Sequence, residues 1–387
     1  MTPYADFTYF GLLLIYIVLP TLVLGFFRLA GWRWLLISTA PFLAVQLSGS
    51  LKLLGTVNLR EFWLFLGFGV WQVALAFGYL RWRERIPGWV AVTLATLPLA
   101  LVKLAPLLPP LSGLKFLGLS YITFRALDVV LSIKDRALKS LSLPAYVGLL
   151  FFFPAISSGP IDRYRRFSQD FFKKRTRAEF FDDLDIAVAR TFRGFLYKFI
   201  CAAMIHVHCI QPLSHLSGPL ALIGYMYAYT FYLFFDFAGY SAFAIGVSRL
   251  FGIHTPENFD RPFLARNIRE FWNRWHITLS FWFRDHVYMR FLLAAAKGKW
   301  FKGKHTANYA GLFVTFGLMG VWHGLAWHYI LYGLYHAGLL SGFDWFARWN
   351  KERKVWGDGL PWRVGSILLT FHAFAFGLLL FSGKLTH

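Results

Sequence analysis

The chain has 387 residues, of which 57% are hydrophobic, 20% aromatic and only 15% charged, and its mean hydropathy is +0.50. Soluble domains carry roughly 25% charged residues, so the composition excludes that class and implies an all-α, polytopic helical bundle in the cell membrane. The net charge of +21 would suit nucleic acid, but the Lys and Arg flank apolar runs, where they set topology and meet anionic lipid; no nucleic-acid partner is expected.

A span needs about 20 mostly apolar residues. The early candidates are 7–27, 34–50, 62–80, 89–108 and 114–133; the later ones are 187–208, 220–250, 307–327, 329–347 and 363–381. The fold expected is one integral-membrane domain over 1–387, with about 10–11 transmembrane helices plus re-entrant and interfacial ones. Run 7–27 follows no basic segment and precedes no small-residue cleavage site, so it reads as a retained span. Run 220–250 is long enough to be tilted or broken. Run 144–157 ends in Pro154 and is too short to cross; it reads as re-entrant, which requires its backbone to be enclosed by protein.

Arg28 and Arg33, then Arg81, Arg83 and Arg85, then Lys134, Arg136 and Lys139 follow alternate spans, while Lys52, Arg60 and Pro109-Pro110 occupy the other loops. The positive-inside rule puts the amino terminus outside. It puts the basic segment after 157 in the cytoplasm, on the same side as the start of 144–157. Residues 178–200 mix acids, bases and Phe, as an amphipathic helix on the inner surface would before entering the bilayer. Residues 254–304 read as cytoplasmic-face helices, and Lys351-Glu352-Arg353-Lys354 marks a further inner loop.

Few residues in the apolar runs can carry chemistry. His323 lies in run 307–327 between Trp322 and Gly324, and an ionisable group inside a span is a functional candidate; the plain alternative is a hydrogen-bonded core histidine. Gly320 and Gly324 leave room for a neighbouring backbone or a substrate chain. His276 follows Arg274 and Trp275, and its alternative is an interfacial aromatic and basic belt. Two imidazoles could divide proton transfer and orientation between them. Asp236 is expected to pair with Arg261, Arg266, Arg269 or Arg274, or to bond a histidine. His206, His208, Cys209 and His215 show no metal-ligand spacing, so no metal is expected. Cys201 and Cys209 imply no disulfide framework. Phosphate-binding and hydrolase signatures are absent from the sequence.

In combination these residues resemble the membrane-bound O-acyltransferase superfamily, and within it the D-alanyl transfer (DltB) branch. The matching pieces are Gly118–Arg125, Ser158–Phe167, Phe234–Ser241, Pro256–Phe263, Glu270–Asp285 and Gly320–Gly324, spread over about residues 115–340. The alginate O-acetylase branch shares most of them. The resemblance implies His323 as the catalytic residue with His276 beside it. It implies Trp275, Trp322, Asp236, Tyr240, Ser241, Arg274 and Asp285 as channel or supporting groups. The implied donor is D-alanine held as a thioester on the phosphopantetheine of a small acidic cytoplasmic carrier protein, with no cofactor bound by the chain itself. The carrier would dock on the basic inner face, Arg163, Arg165 and Arg166 among others. The product would be a D-alanyl ester of teichoic acid or a similar envelope polymer, directly or through a membrane-anchored relay protein. Two alternatives stand beside this: an O-acetyltransferase of an exported polysaccharide, and a transporter or flippase using buried His and Asp as a proton relay.

Overall fold

The structure is a computed structural model and describes residues 2–48, 60–105 and 115–386. Lys52, Pro109 and Pro110, with the ends of runs 34–50 and 89–108 and the first residue of 114–133, lie outside the described residues. Among the described residues every regular element is helical, and the only strand-like pairing is an isolated bridge between Phe259 and Trp275. The chain divides into two compact units, Met1–Phe195 with Gly239–Pro256, and Leu196–Ala238 with Glu257–His387.

In the first unit, α1 (Phe7–Phe26) opens where Asp6 accepts the amide of Tyr9 at 2.8 Å. It is followed by α2 (Trp32–Ser48), α3 (Arg60–Trp82) and α4 (Gly88–Lys103). Gln72 of α3 donates to the carbonyl of Ala95 in α4 at 2.9 Å, a polar tie between two otherwise apolar helices. The next helix, α5 (Leu119–Lys134), is buried on nearly every side, Arg125 and Asp128 included. Gly118 precedes it with φ +87°, and a Cβ there would stand 2.8 Å from the carbonyl oxygen of Ile156. Only glycine meets both demands.

The short helix α6 (Leu143–Leu150) has Pro144 in its first turn and is followed by a 3₁₀ turn, Phe153–Ala155. This is run 144–157, too short to cross and enclosed: Leu149, Leu150, Phe153 and Ala155 are buried. Then come α7 (Tyr164–Phe172), α8 (Arg177–His215) and α9 (Pro219–Leu250), of which Leu196–His215 and Pro219–Ala238 belong to the second unit. Two of the expected runs take definite form here. The surface helix 178–200 and the span 187–208 are one continuous helix, α8, which passes through π-turns at Leu196–Ala202 and His206–Ile210. Each wide turn adds a residue and rotates the face that follows, so the charged first half and the apolar second half join without a break. Run 220–250 is likewise unbroken.

The second unit contains α10 (Ile268–Trp272), α11 (Ile277–Phe283), α12 (Met289–Gly298), α13 (Lys304–His323), α14 (Trp327–Arg353) and α15 (Leu360–Phe381). Helices α13 and α14 meet backbone to backbone. A Cβ on Gly320 would lie 2.5 Å from the carbonyl oxygen of Tyr329, and one on Gly333 would lie 2.2 Å from that of Phe316. Small residues permit such an approach, and it holds the end of α13 firmly. The room left by Gly320 is thus taken by a neighbouring backbone. All ten apolar runs fall largely in helices, and α1, α3, α8, α9 and α15 are long and apolar enough by themselves to cross a membrane. The protein is a multi-pass membrane protein.

Candidate active site

His323 is the last residue of α13, and the chain turns sharply after it into α14. Gly324 bonds back to the carbonyl of Gly320 at 3.2 Å, and a Cβ on it would strike the ring of Tyr329 at 2.6 Å. The imidazole is half-buried in a cup of aromatic rings. Trp322 lies 4.5 Å away between centroids, Phe381 4.9 Å and edge-on, Tyr329 6.0 Å and Tyr332 6.3 Å. Such a cup fixes the ring and limits water around it.

His276 is positioned by a different device. Asn267 caps α10 by accepting the amide of Glu270 at 2.8 Å. The chain then pairs with the segment before it: Asp260 N–H donates to Arg274 O, and Ile277 N–H to Asn258 O, both at 3.0 Å. Between these two bonds His276 takes φ +43° and ψ +50°, the left-handed region that histidine tolerates better than most residues. Thr278 fixes the next turn by donating to Asn258 Oδ1 at 2.7 Å. The His276 ring is buried edge-on to Phe237, with centroids 4.6 Å apart, and its Nδ1 has no hydrogen-bond partner among the described residues. Burial, and secondarily His323, push its pKa down to about 3, so it is a neutral imidazole near neutrality. Both histidines belong to the second unit.

Trp275 is buried under Phe374, 4.9 Å away, and Phe259, 5.1 Å away, and forms the wall behind His276. Arg274 pairs with Glu270 at 2.7 Å, one turn earlier, and Asp285 pairs with its exposed neighbour Arg284 at 2.9 Å. Asp236 departs from expectation: it forms an ion pair with Lys198 of α8, not with Arg261, Arg266, Arg269, Arg274 or a histidine. Arg269 is committed to Asp344 at 2.9 Å and Arg274 to Glu270, whereas Lys198 reaches Asp236 from the neighbouring helix.

Tyr240 and Ser241 fall in the first unit. Both are buried; the Tyr240 hydroxyl shares a hydrogen bond of 2.8 Å with Ser157, and its ring meets Tyr4 edge-on at 5.1 Å. The three arginines of the expected docking face are in this unit too. Arg163 binds Asp128 at 2.7 Å, and Arg166 binds Asp162, Asp170 and the carbonyl of His254. Arg165 alone of the three is exposed, and it has no ion-pair partner among the described residues.

Several residues of these neighbourhoods were not singled out from sequence. Lys198 was one charge among many in 178–200. Asn258 lay inside a quoted motif without a role. His336 of α14 is wholly buried among Trp272, Tyr332 and Phe374, and neither ring nitrogen has a hydrogen-bond partner among the described residues. Its signal was present, since it is ionisable and sits in an apolar run.

Residues 34–375 match the model of MBOAT, the membrane-bound O-acyltransferase family. The chain is 44% identical to the teichoic acid D-alanyltransferase of Bacillus subtilis (strain 168), over 100% of this chain and 99% of that one. It is 37% identical to the teichoic acid D-alanyltransferase of Streptococcus thermophilus, over 100% and 96%. It is 33% identical to the probable alginate O-acetylase AlgI of Pseudomonas syringae pv. tomato, over 58% of this chain and 42% of that one.

Proposed function

This chain belongs to the membrane-bound O-acyltransferase family and is an acyltransferase, and from that premise we propose that it transfers D-alanine to hydroxyl groups of teichoic acid. The observation that carries the choice of acyl group and acceptor is the end-to-end likeness to proteins named for that reaction, against a likeness to an alginate O-acetylase over 58% of the chain. The donor is D-alanine in thioester linkage to the phosphopantetheine of an acidic carrier protein. The chain itself uses no metal or bound cofactor.

In this reading His323 is the general base. It takes the proton of the acceptor hydroxyl as the oxygen attacks the thioester carbonyl. The new C–O ester bond forms, the C–S bond breaks, and the imidazolium returns the proton to the departing thiolate. Base catalysis of this kind is worth about 10²–10⁴-fold, and holding donor and acceptor together adds more. Support for His323 comes from its aromatic cup, which fixes the ring, and from its place at a rigid helix end. His276 is suited to a different part: a neutral ring with an uncommitted Nδ1 can orient the acceptor or steady the tetrahedral oxyanion through a hydrogen bond, as preorganised donors do. The carrier docks through exposed bases of the first unit such as Arg165, for which electrostatic complementarity to an acidic partner is the argument. A membrane-anchored relay protein could accept the acyl group before the polymer.

The test supplies membranes containing the full chain with labelled D-alanyl carrier protein or with a labelled acetyl donor. D-alanyl ester on teichoic acid or on an intermediate acceptor is expected. Label appearing only from the acetyl donor would replace this reading with polysaccharide O-acetylation.

A further inference from the structure

Along one side of α14 in the second unit, Gly338, Gly342, Phe346 and Asn350 recur every fourth residue and form one wall of a cavity of about 700 Å³. The facing wall is α15, through Ser366, Leu369, Thr370 and Ala373. The twelve residue-to-residue steps of helix from 338 to 350 make a trough about 18 Å long. Its glycine end is open: a Cβ on Gly338 or Gly342 would meet nothing within 4 Å, and both glycines are exposed.

The other end is built and polar. Asn350 holds the Trp356 backbone through two hydrogen bonds, its Nδ2 donating to the Trp356 carbonyl at 2.8 Å and its Oδ1 accepting the Trp356 amide at 2.7 Å. The Trp356 indole donates to Ser366 at 2.9 Å. The connection between α14 and α15 is thereby folded over the end of the trough. Arg363 and Arg266 line this cavity, both exposed, and neither has an ion-pair partner among the described residues. Arg266 falls toward the Asn350 end because α10 runs back along α14: Trp272 lies on His336 at 5.1 Å and Arg269 pairs with Asp344 at 2.9 Å. Asp358 is the one acidic residue in the lining.

We infer that this trough is a binding site for one anionic glycerophospholipid of the cytoplasmic leaflet. Its phosphate would sit between Arg266 and Arg363, and an acyl chain would lie over the open glycine wall. Three features select that occupant. The two uncommitted guanidiniums suit a phosphate, which arginine binds through paired N–H donors. The trough is mainly apolar beyond the arginines and too long for a headgroup alone. The adjoining loop carries Lys351, Arg353 and Lys354, which the positive-inside rule puts in the cytoplasm, where anionic lipid is concentrated.

The experiment is native mass spectrometry of the full chain in neutral detergent, titrated separately with phosphatidylglycerol, phosphatidylcholine and glycerol 1-phosphate. One phosphatidylglycerol should be retained in preference to phosphatidylcholine. Arg266→Gln with Arg363→Gln should weaken it about 30-fold, since each basic residue near an anionic headgroup contributes roughly 5-fold. Gly338→Leu with Gly342→Leu, at positions where an added Cβ meets nothing within 4 Å, should reduce retention of the lipid without altering the arginines. Both double variants change exposed positions, and unchanged thermal unfolding checks that they fold. Equal retention of the two lipids, or phosphatidylglycerol binding indifferent to both pairs, overturns the site. Saturation by glycerol 1-phosphate alone would make it a phosphate site and overturn the lipid.

Discussion

The guanidinium of Arg125 in α5 donates to the carbonyl oxygen of Leu149 at 3.0 Å, near the end of the short helix α6. The same side chain reaches the carbonyls of Leu150 at 3.3 Å and Ala155, and it is wholly buried. A helix that stops inside a bundle leaves its last carbonyls without amide partners, and one arginine from a neighbouring helix answers several at once. That is the condition under which a non-crossing segment can sit at membrane depth. Arg125→Leu should therefore destabilise the protein by about 3–5 kcal/mol, because buried acceptors lose a charged donor. Arg125→Lys, with a compact ammonium in place of a planar fork, should recover only part. Thermal unfolding in detergent reads both, and a Leu variant that melts with the parent would show that the carbonyls are satisfied otherwise.

His276 makes a prediction about acid. Its pKa in the folded protein, about 3, lies below the ordinary 6.5. The unfolded chain therefore binds a proton that the folded chain refuses. The contribution is fully present above pH 6.5 and is lost progressively as pH falls from 6.5 toward 3. His276→Asn keeps a residue that accepts positive φ and cannot titrate in this range, so it should flatten the melting temperature between pH 6.5 and 4. His276→Val should unfold more readily at every pH, by about 1–2 kcal/mol, because a β-branched side chain resists the left-handed backbone. Parallel pH profiles for the parent and the Asn variant would mean that another group carries the acid limb.

Much of this architecture could be read from residue order, and the remainder needed the third dimension for identifiable reasons. Ionisable residues stand out against hydrocarbon, so His323, Asp236 and the Trp-His pairs were conspicuous. Partners were another matter. Asp236 had four arginines nearby in sequence, yet Lys198 meets it because α8 continues through a π-turn that no periodicity announces. Arg125 was part of a recognisable stretch, but its task depends on where another helix ends. The arginines after Gly159-Pro160 looked alike on paper. Their division follows from their places at the start of α7: Arg163, just before the helix, meets Asp128 of α5, and Arg166 meets Asp170 one turn along α7 itself.

The Lys198–Asp236 pair should behave as a coupled unit. Lys198 is largely buried while Asp236 is about a third exposed, so solvent screens the pair and its worth is modest, about 1 kcal/mol. Lys198→Met leaves a carboxylate facing an apolar side chain and should cost more than Lys198→Met combined with Asp236→Asn. A double-mutant cycle on melting temperature measures the difference. Strict additivity would mean that the two charges do not stabilise one another.

The arginines of 163–166 separate docking from folding. Arg165→Glu should leave thermal stability unchanged and weaken capture of an acidic carrier protein by about 2–5-fold at low salt, the size of an exposed charge contact, with the effect fading as salt is raised. Arg163→Glu and Arg166→Glu should instead lower stability by about 1–3 kcal/mol, since each faces carboxylates that are largely buried. Carrier capture that is indifferent to Arg165→Glu would move the docking face to exposed bases elsewhere, Lys297 and Lys299 being the next to reverse.

His323 gives the most direct test of the chemistry. Its side chain ends a helix that is anchored upstream by the contact of Gly320 with the Tyr329 carbonyl, so truncating the ring need not move the backbone. If the imidazole takes the acceptor proton, His323→Ala should lower the transfer rate by about 10²–10⁴-fold while leaving carrier affinity and melting temperature near those of the parent. His323→Gln keeps hydrogen-bonding capacity but cannot hold the proton in flight, so it should be as slow as Ala. A residue that only oriented the acceptor would give the opposite pattern, with Gln recovering much of the rate and KM rising more than kcat falls. Steady-state kinetics on the parent and both variants, with D-alanyl carrier as donor, distinguish a base from a positioning group.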